Sequence, residues 1–399
     1  MKLLEGCKIL IGVTGSIAAY KAAELIRQIR KEGGAVRTVL TEAAARFLSP
    51  TTFEALSGSP VWVSLFEDPL AHIELTRWAD RMAVVPATAN LLAKVRLGLA
   101  DDLLSTLILA GDLPILIAPA MNRQMWHAQA TQENVAILRQ RGLLILGPDF
   151  GEQACGEVGL GRMVEPSEIL AWLPLSWSDE LSGVRVVVTA GPTREPLDPV
   201  RFLSNRSSGK MGYALARAAR ARGAEVVLIS GPTALPPPWG VEVVRVERAE
   251  EMLQAVLAQL EGCDIFIGAA AVADDRPETV SSQKRKRSPN GWRLELRSNP
   301  DIIQTVSNSP LRPKLVVGFA AETERLLDYA HDKLRRKGLD AVVANRVGAG
   351  RGFEREENEV WWLTEEEEKH FPNQPKGLLA DRLLGEIVQL YRKRCAGSS

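Results

Sequence analysis

The chain has 399 residues, 46% of them hydrophobic and 25% charged, and its 49 basic and 49 acidic side chains cancel to a formal charge of zero. That length exceeds one ordinary core of ~100–200 residues, so two domains are expected, and the neutral balance excludes an overall electrostatic footprint for nucleic acid or an anionic membrane. Cys7, Cys155, Cys263 and Cys395 form no C-x-x-C pair and no disulfide-like spacing, which argues against a zinc site and for a reducing cytoplasm.

Lys8–Val13 is a short continuous apolar run, as expected of a strand buried on both faces of a parallel sheet. Gly12 and Gly15, with Lys21 soon after, break the run too early for a secretory signal, and no stretch approaches the ~20 apolar residues of a membrane span. After the turn Thr14-Gly15-Ser16, Ala18, Ala22, Leu25, Ile26 and Ile29 recur at helical spacing until Gly33-Gly34 stop the helix. Val36–Leu40, Arg81–Val85 and Ile115–Ala118 read as further strands. The pattern restarts at Val184–Thr189, followed by a long polar loop over 190–208 and a helix from Lys210 to Arg222. Val226–Ile229, Ile265–Ala269, Leu315–Gly318 and Ala341–Ala344 are the remaining strands, and Trp172–Ser182, rich in Trp, Pro, Ser and acid, reads as the linker. The expectation is two doubly wound, Rossmann-like α/β domains, 1–178 and 183–399, each with its ligands at the carboxyl ends of the strands.

Several segments look chemical. Gly12-Val13-Thr14-Gly15-Ser16-Ile17-Ala18 joins a strand to a helix, and its small residues let backbone N–H groups and a hydroxyl approach a phosphate; a tight turn without a ligand explains it equally well. Asn122, in Pro119-Ala120-Met121-Asn122 after a strand, either bonds a ligand carboxylate or amide or caps the next helix. Cys155 lies in the Gly-rich stretch 153–163, read as a mobile loop rather than a strand or helix, where a thiol is more often reactive than in a core. His127, His331 and His370 read as structural. In the second half, Gly209-Lys210 evokes a phosphate-binding P-loop, but Met211 stands where Ser or Thr would hold Mg2+. What remains is a polar loop running into a helix N-terminus, still a good anion site. Asp274 ends a strand, Lys284-Arg285-Lys286-Arg287 reads as a solvated charge run or a nucleic-acid patch, and Asn299-Pro300-Asp301-Ile302 as a helix start. Lys333 and Lys337 are four apart, on one helix face, and 365–368 is an exposed acidic turn.

Taken in order, Gly12–Lys21, His72-Ile73-Glu74-Leu75, Pro86-Ala87-Thr88-Ala89-Asn90, Pro119–Asn122 and Ala154-Cys155-Gly156 resemble the flavin-dependent cysteine decarboxylases, above all phosphopantothenoylcysteine decarboxylase, over about the first 170 residues. The resemblance implies a flavodoxin-like domain with FMN near Gly15, Ser16, Thr41, Thr88 and Ser105. It makes His72 the active-site base, Asn122 the holder of the substrate carboxylate or amide, and Cys155 a proton donor on a lid. It also implies the reaction: the flavin oxidises the thiol to a thioaldehyde, CO2 leaves, and the enethiolate is reprotonated and reduced. A histidine and a lid thiol suit those proton transfers. One departure is Ala100-Asp101-Asp102 where the family shows Ala-Asn-Asp; the extra acid either changes affinity near the flavin or an interface, or caps a helix.

From about 184 to the C-terminal helix, with Thr189–Gly212 the most specific part, the chain resembles the CTP-using bacterial phosphopantothenate–cysteine ligases. That resemblance places Ala271, Asp274, Lys284, Asn299, Pro300, Asp301, Ile302, Phe319, Lys333 and Lys337 at CTP, with Mg2+ accompanying the nucleotide on ligands that no motif names. It assigns Arg201 and Asn205 to the acyl-cytidylate intermediate. Arg285, where an apolar residue is usual, leaves both Lys284 and Lys286 as triphosphate contacts. A fused chain then follows, whose second half makes the substrate of its first from 4'-phosphopantothenate, cysteine and CTP. The same resemblance implies homo-oligomers, trimer-based in the decarboxylases and dimeric in the ligases, up to dodecamers. A binding or regulatory protein on this scaffold would tend to lose His72, Asn122 or Cys155, and a decarboxylase of peptide cysteines would not need the ligase motifs.

Overall fold

A computed structural model describes residues 1–66, 68–287, 291–348 and 355–396. The chain divides into two compact units, Lys2–Trp177 and Ser178–Ser399, the second also including Met1.

In the first unit six strands form one parallel sheet: β1 (Lys8–Val13), β2 (Ala35–Leu40), β3 (Val61–Trp62), β4 (Arg81–Ala87), β5 (Ile115–Pro119) and β6 (Leu144–Ile145), in the order β3-β2-β1-β4-β5-β6. This is the doubly wound order of dinucleotide-binding sheets, and without the two-residue β3 the remaining five strands run as in flavodoxin. Central β1 is buried from Ile9 to Val13, which is why its sequence is continuously apolar. The helix Ala19–Lys31 covers the sheet with Ala22, Leu25, Ile26 and Ile29, each fully buried, and burying a Leu or Ile contributes roughly 1.5–3 kcal/mol.

One expectation is corrected here and another refined. The stretch 153–163 is no loop: β7 (Asp149–Glu152) and β8 (Val158–Arg162) pair as an antiparallel hairpin with only 153–157 as its turn. Glycines at 151, 159 and 161 hid the strand signal because they remove the side chains whose alternation would reveal it. The linker Trp172–Ser182 does contain the boundary between the units, at 177/178, but its two ends are packed: Trp172, Leu173 and Leu181 are 0% exposed and Leu175 1%.

The second unit contains β9 (Arg185–Ala190), β10 (Arg194–Pro196), β11 (Phe202–Ser204), β12 (Glu225–Ser230), β13 (Glu242–Arg245), β14 (Ile265–Gly268), β15 (Asp275–Pro277), β16 (Leu296–Ser298), β17 (Leu315–Glu322), β18 (Ala341–Arg346), β19 (Glu357–Leu363) and β20 (Glu368–Pro375). Its main sheet runs β13-β12-β9-β14-β17-β18-β19-β20. The first six strands are parallel and repeat the order of the first unit, and an antiparallel hairpin extends the edge. The polar segment 190–208 is not one loop, since β10 and β11 pair within it. Among the described residues no helix is long and apolar enough to cross a membrane.

Candidate active sites

Parallel pairing brings the carboxyl ends of β1, β2, β4 and β5 to one edge of the first sheet. There β1 leads into Thr14-Gly15-Ser16, β2 into Thr41, β4 into Thr88 and β5 into Ala120-Met121-Asn122. Buried Thr14 ties two tips together: its hydroxyl donates to the Pro86 carbonyl at 2.9 Å and accepts from the Thr88 N–H at 3.0 Å. Gly15 allows a close approach at this edge, because a Cβ there would stand 2.6 Å from that of Ala43. A cleft of about 570 Å³ is lined by Gly15, Thr41, Thr88 and Asn90 and by the apolar Leu65, Phe66 and Met125. A second, of about 640 Å³, takes in Ser16, Ile17, Asn122, Gln153 and Cys155.

The hydroxyls at this edge suit a phosphate. Ser16 Oγ accepts from the Ala18 N–H at 3.3 Å, Thr41 Oγ1 from Ala44 at 3.2 Å and Thr88 Oγ1 from Leu91 at 3.4 Å. Acting as acceptors, they keep their own protons to donate to a ligand oxygen. With Thr41 and Thr88 on a polar rim and an apolar wall in one cleft, and Ser16 on the neighbouring one, this edge fits a flavin mononucleotide. Ser105 is different: it is 2% exposed, lines neither cleft, and its hydroxyl donates to Asp102 Oδ1 at 2.9 Å in the capping box of the helix Leu103–Ala110. The cap is therefore Asp102. Asp101 instead pairs with Lys94 Nζ at 2.7 Å, beside the 2.8 Å pair of Lys94 with Asp102. Burial opposes the Lys94 charge, but the two carboxylates prevail and raise its pKa.

Asn122 and Cys155 come together. Asn122 Oδ1 caps the short helix Arg123–His127 by accepting from the Gln124 N–H at 2.8 Å, which leaves Nδ2 to donate to Glu157 Oε2 at 2.9 Å and towards Cys155 Sγ at 3.6 Å. Both readings of Asn122, as cap and as donor, hold at once. The hairpin that carries Cys155 presses on this loop. Met121 N–H donates to the Gly161 carbonyl at 3.0 Å, and Gln153 Oε1 accepts from the Arg123 N–H at 3.1 Å. Gly161 has φ +144°, and a Cβ there would lie 2.3 Å from the Met121 carbonyl oxygen. Cys155 is exposed at the hairpin tip. His72, in the first turn of the helix Ala71–Trp78, lines neither cleft, and its Nδ1 is buried with no hydrogen-bond partner.

In the second unit the converging tips are those of β9, β14 and β17. Thr193 Oγ1 accepts from the Ala273 N–H at 3.0 Å, and the Ala271 N–H donates to the Gly191 carbonyl at 2.9 Å, lacing the loop after β9 to the loop after β14. Asn205 Nδ2 donates to the Ala271 carbonyl at 2.9 Å, and Asn299 Nδ2 to that of Ala273 at 2.9 Å. The Asn299 N–H donates to the Asp274 carbonyl at 2.7 Å. Asp301 caps the helix Ile302–Ser307 through the Gln304 N–H and pairs with Lys337 Nζ at 2.7 Å, while Pro300 shapes the start of that helix and Ile302 is buried core. Lys333 Nζ donates to the Phe319 carbonyl at 2.5 Å. Burial first, and the charge of Lys337 second, push the Lys333 ammonium down to about 8, against the attraction of Asp301, Glu322 and Asp274. Two lysines and several backbone groups thus meet at one sheet edge, an arrangement that suits a polyphosphate. Lys284 and Lys286 stay exposed on the segment after β15.

Sequence reasoning missed Glu157, the partner of Asn122, and Asp198, whose side chain is 0% exposed and bridges Arg201 to the backbone of Arg285. Turn chemistry marks Asp198: in Pro196-Leu197-Asp198-Pro199 an aspartate is placed to accept from N–H groups two and three residues on. Among the described residues no group of three or more His, Cys, Asp or Glu could hold a metal, so no protein cage for Mg2+ is assigned.

Comparison with known proteins accounts for both halves. Residues 2–174 match the flavoprotein family, and residues 181–391 match the family described as the DNA/pantothenate metabolism flavoprotein C-terminal domain. The chain is 47% identical over 397 residues to the coenzyme A biosynthesis bifunctional protein CoaBC of Haemophilus influenzae, covering 98% of this chain and 99% of that one. It is 47% identical over 401 residues to the CoaBC protein of Escherichia coli, with the same coverage of 98% and 99%. A crystal structure of the C-terminal domain of a CoaBC protein aligns with 54% of this chain and 100% of its own, at 40% identity and a TM-score of 0.47. The chain belongs to the CoaBC family: it is a bifunctional enzyme of coenzyme A biosynthesis, with a flavoprotein decarboxylase in its first half and a phosphopantothenate–cysteine ligase in its second.

Proposed function

We propose that the second unit joins cysteine to 4'-phosphopantothenate through an acyl cytidylate, converting CTP to CMP and pyrophosphate, and that the first, with FMN, decarboxylates the product to 4'-phosphopantetheine. The observation that carries the first-unit roles is the meeting of the Asn122 amide and the Cys155 thiol at 3.6 Å beside strand-end hydroxyls. When bound, FMN supplies the two-electron oxidation and reduction that make loss of CO2 feasible. Ser16, Thr41 and Thr88 hold its phosphate with the protons their capping bonds leave free, and Gly15 lets the backbone come close. Asn122 Nδ2 leaves Glu157 to bind the substrate carboxylate. Cys155, carried on the hairpin, gives its proton to the carbon that lost CO2. His72 acts as the base, its buried Nδ1 having no hydrogen-bond partner among the described residues.

In the second unit Lys333, Lys337 and Lys284 offset the triphosphate charge, Asp274, Asn299 and the Ala271 backbone hold the nucleoside end, and Arg201 and Asn205 hold the acyl side. Mg2+ arrives with CTP. The protein works in the cytoplasm, where its four free cysteines stay reduced, as a homo-oligomer built on trimers of the first unit and dimers of the second.

The test is a coupled assay with phosphopantothenate, cysteine, CTP and Mg2+ that follows pyrophosphate and CO2 separately. Cys155→Ser leaves pyrophosphate release at the wild-type rate and lowers CO2 release by about 10²–10⁴-fold. Equal loss of both products, or pyrophosphate release supported by ATP alone, overturns the assignment.

A further inference from the structure

Arg201 and the basic segment 284–287 belong to different parts of the reaction proposed above, one facing the acyl intermediate and the other the triphosphate. They are nevertheless joined through one buried carboxylate. Asp198 Oδ1 accepts from the Val200 N–H at 2.8 Å and the Arg201 N–H at 2.9 Å, so the turn between β10 and β11 fixes the carboxylate. Its Oδ2 takes Arg201 Nε at 3.0 Å, Arg201 Nη2 at 2.7 Å and the Arg285 N–H at 3.1 Å. Arg201 Nη2 closes the ring by donating to the Arg285 carbonyl at 2.5 Å. The Trp292 ring lies 3.9 Å from the Arg201 guanidinium and covers it. The backbone of Arg285 is therefore gripped at both its N–H and its C=O, and Lys284 immediately precedes it in the chain.

We propose that Asp198 is a positioning residue that couples the two half-sites of the ligase: it aims Arg201 at the acyl group and, through the Arg285 backbone, sets where Lys284 meets the nucleotide. A single charge-assisted network of this kind makes its members interdependent, so their substitutions do not add. One consequence separates this from a merely structural aspartate. Arg201, which faces the acyl group and not the triphosphate in the reading on which the proposal rests, still influences CTP binding, because it holds the Arg285 carbonyl.

The experiment titrates the full-length protein with CTP and Mg2+, without phosphopantothenate, in four variants: Lys284→Gln, Asp198→Asn, Arg201→Lys and the double variant of Asp198→Asn with Lys284→Gln. Thermal melting and decarboxylase activity on added phosphopantothenoylcysteine serve as fold controls. Each single change weakens CTP about tenfold, and the double variant is no weaker than Lys284→Gln alone. If Asp198→Asn does not fold, Arg201→Lys carries the same test from the other side of the network, keeping the charge but lacking the second donor. Wild-type CTP affinity in Arg201→Lys and in folded Asp198→Asn, beside a weakened Lys284→Gln, overturns the coupling and leaves the ligase reading standing. Wild-type affinity in Lys284→Gln overturns the placement of the 284–287 segment at the nucleotide, and the coupling with it.

Discussion

Lys333 is held where its own charge is disfavoured, by burial first and by Lys337 second. Two opposite pH dependences follow. The unfolded lysine binds its proton more tightly than the folded one, so the Lys333 contribution to stability grows as pH rises from about 8 towards 10.5. Nucleotide phosphates favour the charged form, so CTP affinity falls as pH rises through about 8, and binding draws in protons there. Calorimetry in buffers of different ionisation enthalpy measures that uptake, and Lys333→Met removes both the uptake and the pH dependence. Asp101 presents the reverse case. It is 62% exposed and shares Lys94 with the more protected Asp102, so Asp101→Asn changes unfolding free energy by less than about 0.5 kcal/mol in urea and leaves flavin content unaltered. Asp101 does line the first cleft beside Lys94, so a loss of flavin in that variant would show that this pair contributes to holding it.

At the scale of elements, the β7–β8 hairpin is the part whose placement matters to chemistry. Gly161 lets it lie against Met121, and Asn122 follows directly in the chain. Gly161→Ala adds a methyl in a backbone region that suits glycine and drives the hairpin off the loop. Decarboxylation then falls about 100-fold, since a displacement of order 1 Å can have that effect, while pyrophosphate release from the other unit is unchanged. Single-turnover measurement of the two products tells these apart; an active Gly161→Ala enzyme would mean the hairpin does not place Cys155. The element reading also explains what sequence patterning could not show. Runs such as 8–13 and 185–190 declare themselves because a strand covered on both faces must be apolar throughout. Hairpins such as β7–β8 and β10–β11 do not, because Gly and Pro stand where alternation would be.

For the whole molecule, each unit has its own parallel sheet and its own buried cluster, one around Leu10, Val84 and Ile117, the other around Val187, Phe266 and Val316. Separately expressed 1–177 and 178–399 chains are therefore expected to melt cooperatively, the first carrying decarboxylase and the second ligase activity. Scanning calorimetry and the two product assays check this, and a fragment that aggregates or is inactive would show that its core needs the rest of the chain. The cut at 177/178 keeps the buried Trp172, Leu173 and Leu175 with the first unit.

The sequence by itself determined two doubly wound α/β halves, because buried parallel strands and the glycines that end helices leave a periodic trace. It also placed Gly15 and Asn122 just beyond the ends of strands, since doubly wound sheets put ligands there, and the family resemblance added Thr41 and Thr88 at two more strand ends; Phe319, expected past a strand ending at Gly318, lies within β17, which runs on to Glu322. Only the tertiary structure decided which side chains meet. Asn122 and Cys155 are 33 residues apart and come within 3.6 Å through a hairpin that composition conceals. Ser105 turns inward to a cap, and His72 keeps a buried nitrogen without a partner. Asp198 and Arg285, 87 residues apart, share a hydrogen bond that no local pattern records. Periodicity reports how each segment is covered, whereas a site depends on distances between segments, and those are set by how the sheets pack.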